Sequence, residues 1–319
     1  MWHRPGSPGA GGGGRVAAED LKTLRPDLAI GWYFAGVVAQ QQKRLGDAQR
    51  EFEHALQLQP AAVDALTALA HVEVERGQRA QAIALVRDAV TRQSSNPATQ
   101  NLLGELYMGD QNYPQAVAAL DEAVRLAPKW WVPYRNLALT KIAAKDVPGG
   151  IAAYEAGVKA TAEPVLVVDL AAIYVHEGRA DDTIRQYELL HERNPQLELA
   201  ANNLAMLLVT YRKDQASLDR ARDLTARFAN SGVGALLDTH AWVMFKRGEV
   251  PQALSELERA SAEEPNSKVI RYHLGMVQLK AGQPDKARAS LEAALAGGAS
   301  FTGTDEARLA LAQLTGRAG

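Results

Sequence analysis

Pairs of helical stripes, each pair closed by a helix-breaking residue, recur along this sequence with a period of about 34 residues, and nothing else restricts the fold as much. Gly234–Ser267 shows the plan. Leu237, His240, Ala241 and Met244 fall at the i, i+3, i+4, i+7 spacing of one helix face. Gly248 breaks that pattern, and Pro251 suits the first turn of a second helix. Ala253, Leu257 and Ala260 share a face of this second helix, and Pro265 ends it. A lone hairpin of this size cannot bury its apolar face, so it needs neighbours.

Seven further units supply them, beginning at Ala29, Val63, Pro97, Trp131, Pro164, Glu198 and Lys268. In the sixth, the interhelical turn around Arg212–Leu218 is expected to be longer by two to four residues. The 319 residues are 47% hydrophobic but only 6% aromatic, which favours helices packed closely on small side chains. The two ends differ from the rest. Residues 1–14 are Gly/Pro-rich and read as disordered, and 15–28 match only the second helix of a unit. Either the chain starts inside a longer array or this half unit is an end cap. The lack of a more polar outer face favours the first. Its unpaired face would then offer a route to self-association. The array proper spans 29–301, and 302–319 holds a capping helix whose Ala307, Ala310, Leu311 and Leu314 share a face.

The pattern resembles the tetratricopeptide repeat. Leu103, Gly104, Tyr107, Ala116, Leu120, Ala123 and Pro128 match the family's positions in the third unit, and Trp32, Gly36, Ala48, Phe52, Ala55 and Pro60 match them in the first. The resemblance implies an all-α, right-handed superhelical solenoid of about eight hairpins plus the C-terminal cap. Small residues at the eighth, twentieth and twenty-seventh positions let backbones approach, and bulky ones fill the gaps. The fourth unit departs from this, with Gly150 and Gly157 replacing both alanines of its second helix, and is expected to be the softest. The succession Asn202–Ala205, Leu237–Thr239 with Trp242, and Ile270–Leu274 is also similar to bacterial arrays of the exopolysaccharide and PEP-CTERM (exosortase) systems.

Chemistry is not apparent. There are no cysteines, no HExxH pair and no phosphate-binding loop, so no enzyme activity, cofactor or metal is expected. His240 sits at a packing position. A net charge of −2 gives no general footprint for nucleic acid, and no apolar run is long enough to span a membrane. The N-terminus as written has no apolar signal core, which reads as cytoplasmic, whereas an array begun further upstream would suit a periplasmic or envelope site.

What remains is a surface. In the family, the second, fifth, ninth, twelfth and thirteenth positions face a concave groove. The resemblance therefore places Asn101, Arg135, Asn202 and Asp238 there, with an apolar stripe of Met206, Val209, Trp242, Phe245, Tyr272, Met276 and Leu279. No unit has lysine at the fifth position, which disfavours the family's carboxylate-clamping members. Asparagines at the sixth position are limited to Asn136 and Asn203, which disfavours the glycosyltransferase-linked ones. Two accounts of the stripe stand: an open site for a protein or peptide ligand, with Trp242 and Phe245 as anchors, or side chains packed on neighbouring helices. The expected function is a non-catalytic interaction scaffold. The alternative is an accessory part of a polysaccharide-assembly complex, or of a larger enzyme whose catalytic domain lies elsewhere.

Overall fold

The computed structural model describes residues 18, 20–212 and 214–316. The Gly/Pro-rich stretch at 1–14 and most of the first residues of the half unit lie outside them, but residues 20–24 are helical. The chain divides into two compact units after Leu166. The first unit holds four helical hairpins: α1 (Ala29–Gln41) with α2 (Leu45–Leu58), α3 (Val63–Glu75) with α4 (Arg79–Arg92), α5 (Pro97–Gly109) with α6 (Tyr113–Leu126), and α7 (Trp131–Ala143) with α8 (Val147–Thr161). The second continues with α9 (Pro164–His176), α10 (Ala180–Arg193), α11 (Glu198–Tyr211), α12 (Gln215–Thr225), α13 (Gly234–Lys246), α14 (Val250–Glu263), α15 (Lys268–Lys280), α16 (Pro284–Leu295) and the terminal α17 (Thr304–Leu314). Each unit is thus an all-α solenoid of hairpins, and the second ends in a capping helix.

The repeat works by a knob in a gap. Ala48, Ala82, Ala116, Ala253 and Ala287 all occupy the twentieth position and are fully buried. At the eighth position a side chain would collide with the large residue of the partner helix. A Cβ on Gly104 would stand 2.5 Å from Leu120, and one on Gly36 would stand 2.5 Å from Phe52. The absent side chain is therefore the socket for the bulky one.

The hairpin turn is equally regular. The fifteenth position is left-handed in seven of the eight hairpins: Gly77, Gly178, Gly248 and Gly282, but also Lys43, Gln111 and Lys145 with φ between 59° and 69°. The exception is the sixth hairpin, where Arg212 is extended, with φ −115°. Its two helices, ending at Tyr211 and starting at Gln215, are nevertheless spaced like those of the other hairpins. The extra length expected in that turn lies elsewhere: α11 has one more residue than the other first helices, and a 3-10 turn, Ala226–Phe228, follows the shortened α12.

Helix starts follow local chemistry. Asn96 Oδ1 accepts from the amides of Ala98 and Thr99 at 2.9 and 3.3 Å, with Pro97 opening α5. Asp146 and Asp214 cap α8 and α12 in the same way, each accepting an amide at 2.9 Å. Asp181 and Asp182 lie in the first turn of α10, at its positive end.

Candidate functional site: a groove in the second unit

In the second unit, α11, α13 and α15 pack side by side, and α17 packs on α15. Between them runs a groove of about 550 Å³. Met206 and Val209 of α11 form one wall, Trp242 and Lys246 of α13 the middle, and Val269 and Tyr272 of α15 the other wall. Thr302, Gly303 and Glu306 close one end.

The middle is an aromatic stack. The Trp242 and His273 rings are nearly parallel, with centroids 3.9 Å apart. Phe245 and Tyr272 pack on Trp242 at 5.0 and 5.7 Å, and Phe301 continues the row against Tyr272 at 5.4 Å. Polar groups lock the stack from below. His273 Nδ1 lies 2.8 Å from Asp238 Oδ1, and both residues are buried. The Tyr272 hydroxyl donates to Glu306 at the start of α17, fixing the cap against the groove. Burial, and then that bond to Glu306, push the Tyr272 hydroxyl above its ordinary pKa. Gly303 is left-handed, with φ 99°, and a Cβ there would run into the Tyr272 ring.

The expected surface residues are thereby sorted. Met206, Val209, Trp242 and Tyr272 do line one groove. Their exposure is another matter: Val209, Trp242 and Tyr272 are 5, 4 and 2% exposed, so this part of the stripe is packed rather than open. The cause is ring size and spacing. Aromatics on adjacent first helices reach one another, and His273 offers a flat face to Trp242. Phe245, Met276 and Leu279 are half-buried and do not line the groove. Asp238 is tied to His273 beneath it rather than presented to a ligand.

Asn202 is half-buried and donates to Asn203 Oδ1 at 3.1 Å. Asn101 and Arg135 lie in the first unit. There Asn101 is buried, donates to Glu105 at 2.8 Å and accepts from Asn136 at 3.0 Å, so its amide serves the interior. Arg135 is half-buried. His240 fills its packing position with Nδ1 2.6 Å from Glu256 Oε2. Trp130 and Trp131 are both half-buried at the start of α7.

Lys246, Val269 and Glu306 are among the groove residues that escaped the sequence reading. Lys246 and Val269 occupy the thirteenth and second positions of their units, which the family pattern already assigns to the groove. Following those two positions along the chain would have found them. Glu306 belongs to the cap helix, outside the repeat register, and carries no such signal. Among the described residues no three His, Asp or Glu side chains converge on a metal-sized site. Nor is any described helix long and apolar enough to cross a membrane.

Two stretches, 67–129 and 244–314, match family models of the tetratricopeptide repeat, the second including Lys246, Val269, Tyr272 and Glu306 of the groove. In those two stretches the chain carries tetratricopeptide repeats. Among curated proteins it is similar to the cytochrome c-type biogenesis protein CycH of Pseudomonas aeruginosa, 30% identical over 113 residues. That match covers 34% of this chain, and the chain spans only 28% of the length of that relative. Similar solved structures include TTC0263, a thermophilic tetratricopeptide-repeat protein of Thermus thermophilus. It is 21% identical with a TM-score of 0.41, over 56% of this chain and 98% of that one. Pseudomonas aeruginosa pilF is 20% identical with a TM-score of 0.44, over 68% of this chain and 92% of that one.

Proposed function

We propose that this tetratricopeptide-repeat chain is a non-catalytic scaffold that receives an extended segment of another protein in the groove of its second unit. One observation carries the reading. The groove has a rigid, locked aromatic floor but unsatisfied edges: Met206 is only half-buried and Val269 is 37% exposed, beside an exposed Lys246. A preformed concave site with apolar edges beside placed polar groups is what a bound segment needs. Its floor is already ordered, so binding would lose little conformational entropy there.

The test is selection of peptides from a displayed library on the full chain, followed by binding to the Val269→Glu variant. Groove binding requires that selected peptides lose affinity for this variant while its helical circular dichroism is unchanged. Peptides that bind Val269→Glu as well as the parent would place recognition elsewhere.

A narrower reading, an accessory subunit of bacterial polysaccharide assembly, rests on the order of motifs from Asn202 through Trp242 to Leu274. Genes for polysaccharide synthesis or export beside this one would favour it, and their absence would remove its support.

A further inference from the structure

We propose that the groove of the second unit selects an acidic segment, an Asp or Glu flanked by apolar residues, whose carboxylate is taken by Lys246. This rests on the groove being the binding site and adds the chemistry of what enters it.

Three charged side chains line the groove: Arg212, Lys246 and Glu306. Two are engaged. Arg212 Nη2 lies 2.6 Å from Asp181 Oδ1, and Glu306 accepts the Tyr272 hydroxyl. The buried Asp238 beneath the floor is likewise paired, with His273. Lys246 differs. Among the described residues its contacts are aromatic, with the ammonium 4.6 Å from the Trp242 ring centroid and 6.0 Å from that of Phe245. Among those residues Lys246 is therefore the groove's one cation without an ion-pair partner, set against an apolar wall, while Glu306, bonded to a neutral hydroxyl, keeps its charge at the closed end.

That placement favours a carboxylate for three reasons. A charge-assisted hydrogen bond is about twice as strong as a neutral one. The ammonium is already held over Trp242, so less side-chain freedom is lost on binding than for a lysine loose in solvent. The apolar edges at Met206 and Val269 leave room for hydrophobic neighbours of the acid and lower the local dielectric around the pair. A basic segment would meet repulsion from the same side chain.

A lysine in the last turn of a helix also suits the negative end of the helix dipole, so the comparison must separate the two roles. Lys280 supplies the control. It ends α15 as Lys246 ends α13, but it does not line the groove.

The experiment uses the peptides selected on the full chain. Those displaced by Val269→Glu are expected to carry Asp or Glu between apolar residues. Lys246→Glu should weaken them by about tenfold or more, the scale of one charge-assisted bond, and Lys280→Glu should leave them nearly unchanged. Replacing the acid in the peptide by its amide should reproduce the loss on the parent and add little on Lys246→Glu. Groove-binding peptides without an acid, or with affinity indifferent to Lys246→Glu, would overturn the proposal and leave the groove reading standing. Equal weakening by Lys280→Glu would overturn it in favour of net charge. If no selected peptide responds to Val269→Glu, the groove reading fails and this proposal with it.

Discussion

Asp238 and His273, 35 residues apart, are joined by a buried hydrogen bond of 2.8 Å between the fifth position of one repeat and the sixth of the next. Asn136 repeats the relationship in the first unit, donating to Asn101 at 3.0 Å across the same separation. The stacking of hairpins thus has a polar latch as well as an apolar core. Asp238→Ala leaves the buried His273 ring without its partner and should lower stability by roughly 2 kcal/mol or more. Asp238→Asn keeps an acceptor and should lose less. Urea denaturation of the two variants, followed by circular dichroism, gives the comparison. Equal stability of Asp238→Ala and the parent would mean that the latch contributes nothing net.

The left-handed turn position offers a gain. Gln111 adopts φ 59° where other repeats use glycine. A non-glycine residue there carries a left-handed penalty of roughly 1–2 kcal/mol, which the greater backbone entropy of an unfolded glycine offsets in part. Gln111→Gly should therefore stabilise the first unit by about 0.5–1 kcal/mol. Gly248→Ala, at φ 88° in the equivalent turn, should destabilise by a similar amount or more. Midpoints of denaturation measured side by side test both signs at once.

The hairpin plan was legible because it is written many times over. A period, a small eighth residue and a stop proline recur often enough that individual departures do not obscure them. The site was less legible, and the reason is physical. Repeat register tells which way a side chain points, but not whether a neighbour reaches it. Trp242 points to the groove and is nonetheless covered, because His273 lies flat against it and Lys246 lies across it. Asn101 of the first unit holds the corresponding position in its own repeat, but Asn136 and Glu105 take up its amide. Glu306 enters from a helix outside the period, so no repeat pattern could place it opposite Tyr272.

The glycines of the fourth repeat invite a substitution that propensity alone would recommend. In an unencumbered helix, Gly→Ala gains up to about 1 kcal/mol. At Gly150 of α8, however, a Cβ would stand 2.5 Å from Ile142 Cγ1 and 2.9 Å from the Ala138 carbonyl oxygen. At Gly157 it would stand 2.7 Å from Tyr134 Cβ. Both glycines are sockets for large residues of α7, and filling them overpacks the interface. Gly150→Ala should destabilise by about 1–3 kcal/mol despite the propensity gain. Hydrogen exchange adds a second reading: amides of α8 should exchange faster than those of α6 in the parent and faster still in the variant. A stabilised Gly150→Ala protein would show that the backbone yields cheaply at this interface.

The Tyr272–Glu306 bond ties stability to alkaline pH. Burial and the bond to Glu306 raise the Tyr272 hydroxyl above its unfolded value of about 10, so the folded chain holds that proton more tightly than the unfolded chain does. The contribution is accordingly full below pH of about 10 and is lost as pH rises beyond it towards the folded value. Tyr272→Phe keeps the ring packed on Trp242 and Phe301 but removes the hydroxyl. It should lower stability at neutral pH by about 1–2 kcal/mol, since Glu306 is exposed and can be hydrated once its donor is gone. Between about pH 9 and 11 the parent should lose stability with a slope that the variant lacks. Denaturation midpoints recorded across that range decide the matter: parallel curves would mean that Tyr272 ionises as readily folded as unfolded, and that the hydroxyl does not pin α17 to the end of the groove.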